Sequence, residues 1–176
     1  VPVAEFVTPR ELETRDPVAK LGPDLLGPTF DRDEAVRRIV ASGHRPIAAT
    51  LLDQRIVAGI GNIYKSEVLF LARVSPFRRV RDLAPDAVER LVAESQRLMQ
   101  QNREGPARRT RGSLSAGDRL WVYARVRRPC LVCGQPIERR RQGSGARSTY
   151  YCPRCQNAHA EPAVATRPAP AGDELF

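Results

Sequence analysis

Four cysteines stand in two pairs, Cys130 with Cys133 and Cys152 with Cys155, in the spacing C-x2-C-x18-C-x2-C. Two-residue spacing lets both thiolates of one knuckle reach the same ion, and two knuckles complete a tetrahedron around Zn2+. The pattern predicts one structural zinc ion, since a closed four-thiolate shell leaves no open position for catalysis. Two disulfides or redox-active C-x-x-C pairs are the alternative. They are disfavoured in a reducing compartment, and residues 1–5 lack the basic and apolar regions of a secretion signal. The unit is too short for a core of its own, so the metal would hold it together. Between the knuckles, 137–141 and 148–151 flank Gly143-Ser144-Gly145 and read as a hairpin. It carries Arg139, Arg140, Arg141 and Arg147, with Arg147 just past the turn.

A second chemical feature is Gly59-Ile60-Gly61-Asn62, which interrupts apolar helical sequence. Glycines there cost roughly 1 kcal/mol each if helical. In exchange they permit a tight turn and close approach of a bulky partner. The helix that follows has free N–H groups and a positive dipole end, which together make an anion site. Asn62 would cap that helix and donate to a phosphate oxygen, and Lys65, read as exposed, would add charge one turn in. The plainer reading is a tight interhelical turn with an Asn cap. Position 64 is Tyr, so the third glycine of a dinucleotide fingerprint is missing, and no G-K-[ST] marks a phosphate loop.

Charge reinforces the anion reading. The 176-residue chain carries a net +9. Residues 103–154 hold thirteen arginines against Glu104, Asp118 and Glu138, a net +10, and the remainder sums to −1. Arginine presents a planar fork of donors suited to phosphate. The one-sided excess fits a polyanion binder, with a solvated charged surface as the alternative. No run of about 18 apolar residues exists to span a membrane.

The elements that must position these groups can be read from periodicity and punctuation. Residues 1–7 suggest an incomplete strand, followed by a proline-broken connection. A helix is expected over 31–40, with Asp31 as its cap and Glu34 in capping-box position. A short helix follows over 47–53, and a third over 62–72. A fourth spans 85–102, where Val88, Leu91, Val92, Ser95, Leu98 and Met99 make one buried face. Residues 107–118 are rich in Arg, Gly and Ser and read as mobile. Leu120, Trp121, Val122 and Tyr123 suggest a short strand or extended segment. Trp121 and Tyr123 could stack on a base or lie buried between the helical unit and the finger. Glu67 reads as a helix-surface or buried-network residue and His44 as a polar loop residue. His159 falls in an Ala/Pro-rich tail expected to be disordered.

"LLDQRIVAGIGNIYKSEVLFLARVSP" resembles the helix–two-turns–helix motif of the formamidopyrimidine-DNA glycosylase and endonuclease VIII family of bacterial base-excision repair enzymes. "CLVCGQPIERRRQGSGARSTYYCPRCQ" resembles that family's C-terminal zinc finger, and "LGPDLL" its junction into the helical domain. "YKSE" leans toward the endonuclease VIII branch. By position, Asn62 resembles the family's phosphate-binding Asn, and Arg147 the finger Arg that grips phosphates beside the damaged nucleotide. Ala146 departs from the family's usual Gly before that Arg. The nucleophile of the family is an N-terminal proline followed by Glu. Pro2 follows Val1 and precedes Val3, so it does not match, and no catalytic residue is assigned.

The resemblance implies a mainly α fold, a four-helix helix–two-turns–helix domain followed by a zinc-stapled β-hairpin. The divisions expected are 1–20 as remnant of a β-rich catalytic domain and linker, 21–120 helical, 121–156 zinc finger and 157–176 tail. The expected function is DNA binding within a glycosylase/AP lyase that removes oxidised bases and nicks at abasic sites. DNA-binding residues would be Asn62, Arg147, Gly59, Gly61 and Lys65. The expected partner is damaged double-stranded DNA, bound by a monomer in the bacterial cytoplasm and nucleoid, with no Schiff-base trapping by this chain alone. A stand-alone zinc-containing nucleic-acid-binding module is the rival, and a zinc ribbon for a protein partner a third. The reading frame upstream of Val1 separates the first two, and DNA binding that survives zinc removal would favour the third.

Overall fold

The computed structural model describes residues 20–104, 108–112, 119–142 and 145–157. The strand expected over 1–7, Pro2, Gly143, Ser144, His159 and the tail from 158 onward lie outside them.

Among the described residues there are four α-helices: α1 Arg32–Ala41, α2 Ile47–Thr50, α3 Asn62–Leu71 and α4 Pro85–Gln101. A 3-10 turn, Val80–Asp82, precedes α4. An antiparallel hairpin follows, β1 Glu138–Gln142 and β2 Arg147–Tyr151, in the register Glu138 opposite Tyr151 through Gln142 opposite Arg147.

The caps and stripes fall where the chemistry requires. Asp31 caps α1 by accepting from the Glu34 amide at 2.9 Å. The Glu34 carboxylate turns outward to Arg37 and Arg38 instead of closing a capping box. In α4, Val88, Leu91, Val92, Ser95, Leu98 and Met99 are all buried. Burial of each of those apolar side chains is worth about 1.5–3 kcal/mol. Ser95 enters this face because its hydroxyl donates back to the Leu91 carbonyl at 2.7 Å.

Helix α2 stops at Thr50, earlier than the expected 53. Leu51 is its C-cap, and beyond it the Asp53 carboxylate accepts from the Arg55 amide two residues on, which favours a turn.

Helix α3 is central. Seven consecutive residues, Tyr64 to Phe70, are buried. A helix covered on every side needs partners on every side. Val68 and Leu69 enter the helical core with Leu25, Ile39, Ile47, Leu51, Leu91 and Leu98. Phe70 enters a second, smaller core with Val122, Cys130, Ile137 and Cys152.

Of the two readings of 120–123, strand or extended segment, the strand is not formed. The N–H groups of Trp121, Val122 and Tyr123 are held by a carboxylate. Glu67 Oε1 accepts from Val122 at 2.9 Å and Tyr123 at 2.8 Å, and Oε2 accepts from Trp121 at 2.7 Å and from the Thr110 hydroxyl. Glu67 is therefore the buried-network residue of the two readings, and it ties α3 to the segment leading into the cysteines.

Candidate nucleic-acid interface

The four thiols converge. All are free cysteines, with sulfurs within 4.8 Å of one another, Cys133 to Cys152 at 3.5 Å and Cys130 to Cys155 at 3.9 Å. Tetrahedral zinc with ordinary Zn–S bonds needs sulfur separations of about 3.8 Å. Backbone geometry supports the set. Gly134 turns with φ +76° after Cys133, its amide reaching the Cys130 carbonyl at 2.9 Å, and the Cys155 amide donates to Cys152 Sγ at 3.4 Å. The residues fit one closed structural zinc ion, which would supply the cohesion that this small core lacks.

The glycine turn is pinned from two sides. Gln54 accepts from the Gly59 amide at 2.9 Å and donates to the Ile60 carbonyl at 3.0 Å. The chain around Asp24 bridges to Ala58, with the Ala58 amide reaching the Pro23 carbonyl at 2.9 Å. The two glycines then differ. Gly59 sits at φ +101°, where L side chains are strained, and a Cβ there would stand 2.8 Å from the Met99 methyl. A Cβ on Gly61 would meet nothing within 4 Å. The fold requires the first glycine and leaves the second free.

Gly61, with extended backbone, is the N-cap of α3, and no side chain caps the helix. Asn62, expected as the cap, is instead the first helical residue, and its Oδ1 accepts from Lys65 Nζ at 2.7 Å. The first amides of α3 thus carry no side-chain cap, at the positive end of a ten-residue helix.

Lys65 corrects a second expectation. It is fully buried rather than exposed. Besides Asn62, it donates to the Ser148 carbonyl at 3.1 Å and the Thr149 hydroxyl at 2.8 Å. Burial lowers its pKa to about 8, and the nearby Arg147 charge acts in the same direction. At neutral pH it stays largely protonated. The lysine fastens the start of α3 to β2, the strand whose first residue is the exposed Arg147.

Arg147 lines a cleft of about 390 Å3 with Arg45, Ala48, Ala49, Leu52, Asp53, Arg55, Gln142 and Gly145, and Lys65 lies buried beside it. Arg45 and Arg55 both bond Asp53 at 2.9 Å. The hydrogen bonds from Arg55 hold the Asp53 carboxyl well below the usual carboxylate range, against burial, with Arg45 adding to the effect. One carboxylate thus orients two exposed guanidiniums at the mouth of a basic cleft. The charge sum over everything outside 103–154 hides this pair, because the acidic termini offset the net +3 of residues 20–102. The local signal is Asp53-Gln54-Arg55. Of the hairpin arginines, Arg140 lies over the Phe77 ring at 5.0 Å, while Arg139 and Arg141 are exposed on the same strand.

Trp121 is half-buried between the two units, stacked on Phe70 at 5.6 Å and covered by Arg111 at 4.7 Å, and Tyr123 packs on Tyr150 at 4.9 Å. Both rings are half-buried there. Next to Arg147, Ala146 sits at φ +46°. A left-handed alanine costs about 1–2 kcal/mol, of which glycine's looser unfolded chain takes back part. Ala146→Gly is expected to stabilise the hairpin by roughly 0.5–1 kcal/mol, measured as slower zinc loss to a chelator.

The chain is similar to known proteins. The family profile described as the formamidopyrimidine-DNA glycosylase H2TH domain matches residues 21–111. The zinc finger found in FPG and IleRS matches 128–158. A probable endonuclease 8 2 of Streptomyces coelicolor is 44% identical over 158 residues, 89% of this chain and 56% of that protein. The crystal structure of MutM (Fpg) from Thermus thermophilus superposes with a TM-score of 0.66 at 35% identity, over 82% of this chain and 57% of that one. A Lactococcus lactis Fpg complexed with abasic-site DNA gives 0.63 at 30% identity, over 78% and 52%. The chain spans about half the length of the curated relatives it matches. Among the described residues no helix is long and apolar enough to cross a membrane.

Proposed function

Since the chain belongs to the formamidopyrimidine-DNA glycosylase and endonuclease VIII family, we propose that it grips damaged duplex DNA for a glycosylase/AP lyase. That enzyme would remove oxidised bases and nick at abasic sites. Residues 21–120 serve as the helix–two-turns–helix domain of a mainly α fold and 121–156 as its zinc finger, acting as a monomer in the bacterial cytoplasm. One jaw is the uncapped start of α3 with Gly59, Gly61 and the Asn62 carboxamide. The other is Arg147 on the zinc hairpin, with Arg45 and Arg55 in the cleft that Arg147 lines. The observation that carries this reading is the direct fastening of the two jaws by Lys65. Relatives crystallised with abasic-site and 8-oxo-G-type DNA support it. Phosphate contacts set register and carry no base information, so the grip serves any sequence that holds a lesion.

The glycines provide a test. Gly61→Ala is expected to leave the melting temperature unchanged, because space for the methyl exists. It should weaken binding to an abasic-site duplex by about tenfold, since the methyl stands where a phosphate must approach the helix start. Gly59→Ala is expected to destabilise the fold by about 1–2 kcal/mol through its positive φ. Full affinity in Gly61→Ala contradicts the helix-start jaw. Fluorescence anisotropy with labelled duplex and thermal melts of both variants give the readings.

A further inference from the structure

A lysine sealed inside a basic surface needs a reason. Lys65 is fully buried, and burying an ammonium is costly unless every proton finds an acceptor. Here all three do, in Asn62 Oδ1, Thr149 Oγ1 and the Ser148 carbonyl. The Thr149 hydroxyl, also fully buried, passes the chain on by donating to Gln142 Oε1 at 2.7 Å across the hairpin.

The chemistry of the ammonium dictates the orientation of the Asn62 carboxamide. An ammonium only donates, so the group facing it must be the carbonyl oxygen. The NH2 then points the other way. A free asparagine at a helix start can present either end, and the oxygen would repel an anion. Resting on the phosphate reading above, we propose that Lys65 is a positioning residue. It locks Asn62 with both amide protons toward the anion site.

Such a role differs from direct contact in a measurable way. A lysine on a phosphate releases counterions, so its loss lowers the salt slope of binding by about one. A neutral carboxamide contributes nothing to that slope. Lys65→Met is therefore expected to weaken abasic-duplex binding by about tenfold with the slope unchanged. Placed on Asn62→Ala, it should cost less than about twofold more, because the residue it acts through is gone. A slope lower by one, or full additivity of the two substitutions, overturns the proposal.

The free wild-type protein provides an arm that needs neither DNA nor a variant that folds. The Asn62 side-chain NH2 should show a 15N relaxation order parameter as high as the rigid backbone, about 0.85, and an amide averaged by side-chain motion overturns the lock. If wild type binds no DNA, the phosphate reading fails by itself. The ordered or averaged Asn62 amide then still decides the lock separately.

Discussion

Removal of the zinc ion is expected to unfold the hairpin and abolish DNA binding while the helical core stays folded. The second core has five buried members, Phe70, Val122, Cys130, Ile137 and Cys152, and two of these are metal ligands. Apolar burial on this scale cannot hold the finger against the conformational entropy of its chain. In zinc-finger peptides the metal supplies on the order of 10 kcal/mol, and that binding energy is folding energy. The helical core contains no residue of the hairpin. Chelation should therefore preserve most far-UV helical signal. It should change Trp121 fluorescence, because that ring packs against the smaller core. Zinc binds thiolates, so affinity for the ion should fall as pH falls. Cys133→Ser should act as chelation does. Loss of the helical signal together with the hairpin, in one step, would show that the two cores are not separable.

Substitution of Glu67 is the second large effect. Its two oxygens collect the amides of Trp121, Val122 and Tyr123 and the hydroxyl of Thr110. Glu67→Gln keeps the shape but turns an NH2 toward donors. Its best orientation faces Thr110, whose hydroxyl can rotate to accept, and this still sets the NH2 against the Trp121 amide. Hydrogen bonds to a charged group contribute about 1.5–3 kcal/mol each, and an unsatisfied buried donor costs about 1–3. A loss of about 3 kcal/mol is expected, lowering the melting temperature by roughly 6–12 °C for a chain of this length. Glu67→Ala should cost more, because no acceptor remains. Thr110→Val should cost about 1 kcal/mol. Denaturant titration gives the values. A change below about 0.5 kcal/mol in Glu67→Gln would mean that water already satisfies these amides.

Local grammar is legible in the sequence. The thiol spacing, the Asp31 cap, the stripe of α4 and the turn at Gly59 all depend on residues within a few positions of one another. What escapes a sequence reading depends on distant partners. Two of the three acceptors of Lys65 lie 83 and 84 residues away, so a lysine in a first helical turn reads as solvent-facing. The partners of Glu67 lie 43 to 56 residues away. The segment Leu120 to Tyr123 has strand composition, but a carboxylate from α3 holds the amides of Trp121, Val122 and Tyr123. Asn62 reads as a cap because asparagine favours that place. Gly61 takes it, and the Asn62 oxygen goes to Lys65. Each of these corrections falls on the contact between the helical unit and the finger, the two parts whose joint geometry makes the cleft.

The central claim is that Arg147 and the start of α3 grip phosphates together. It is tested most directly by the salt dependence of duplex binding in wild type and Arg147→Ala, measured between about 50 and 200 mM salt on unrelated sequences carrying one abasic site. The account predicts a steep fall in wild-type affinity. In Arg147→Ala the logarithmic slope should be shallower by about 0.9, with the same loss on every sequence. An unchanged slope, or a loss confined to one sequence, would contradict it.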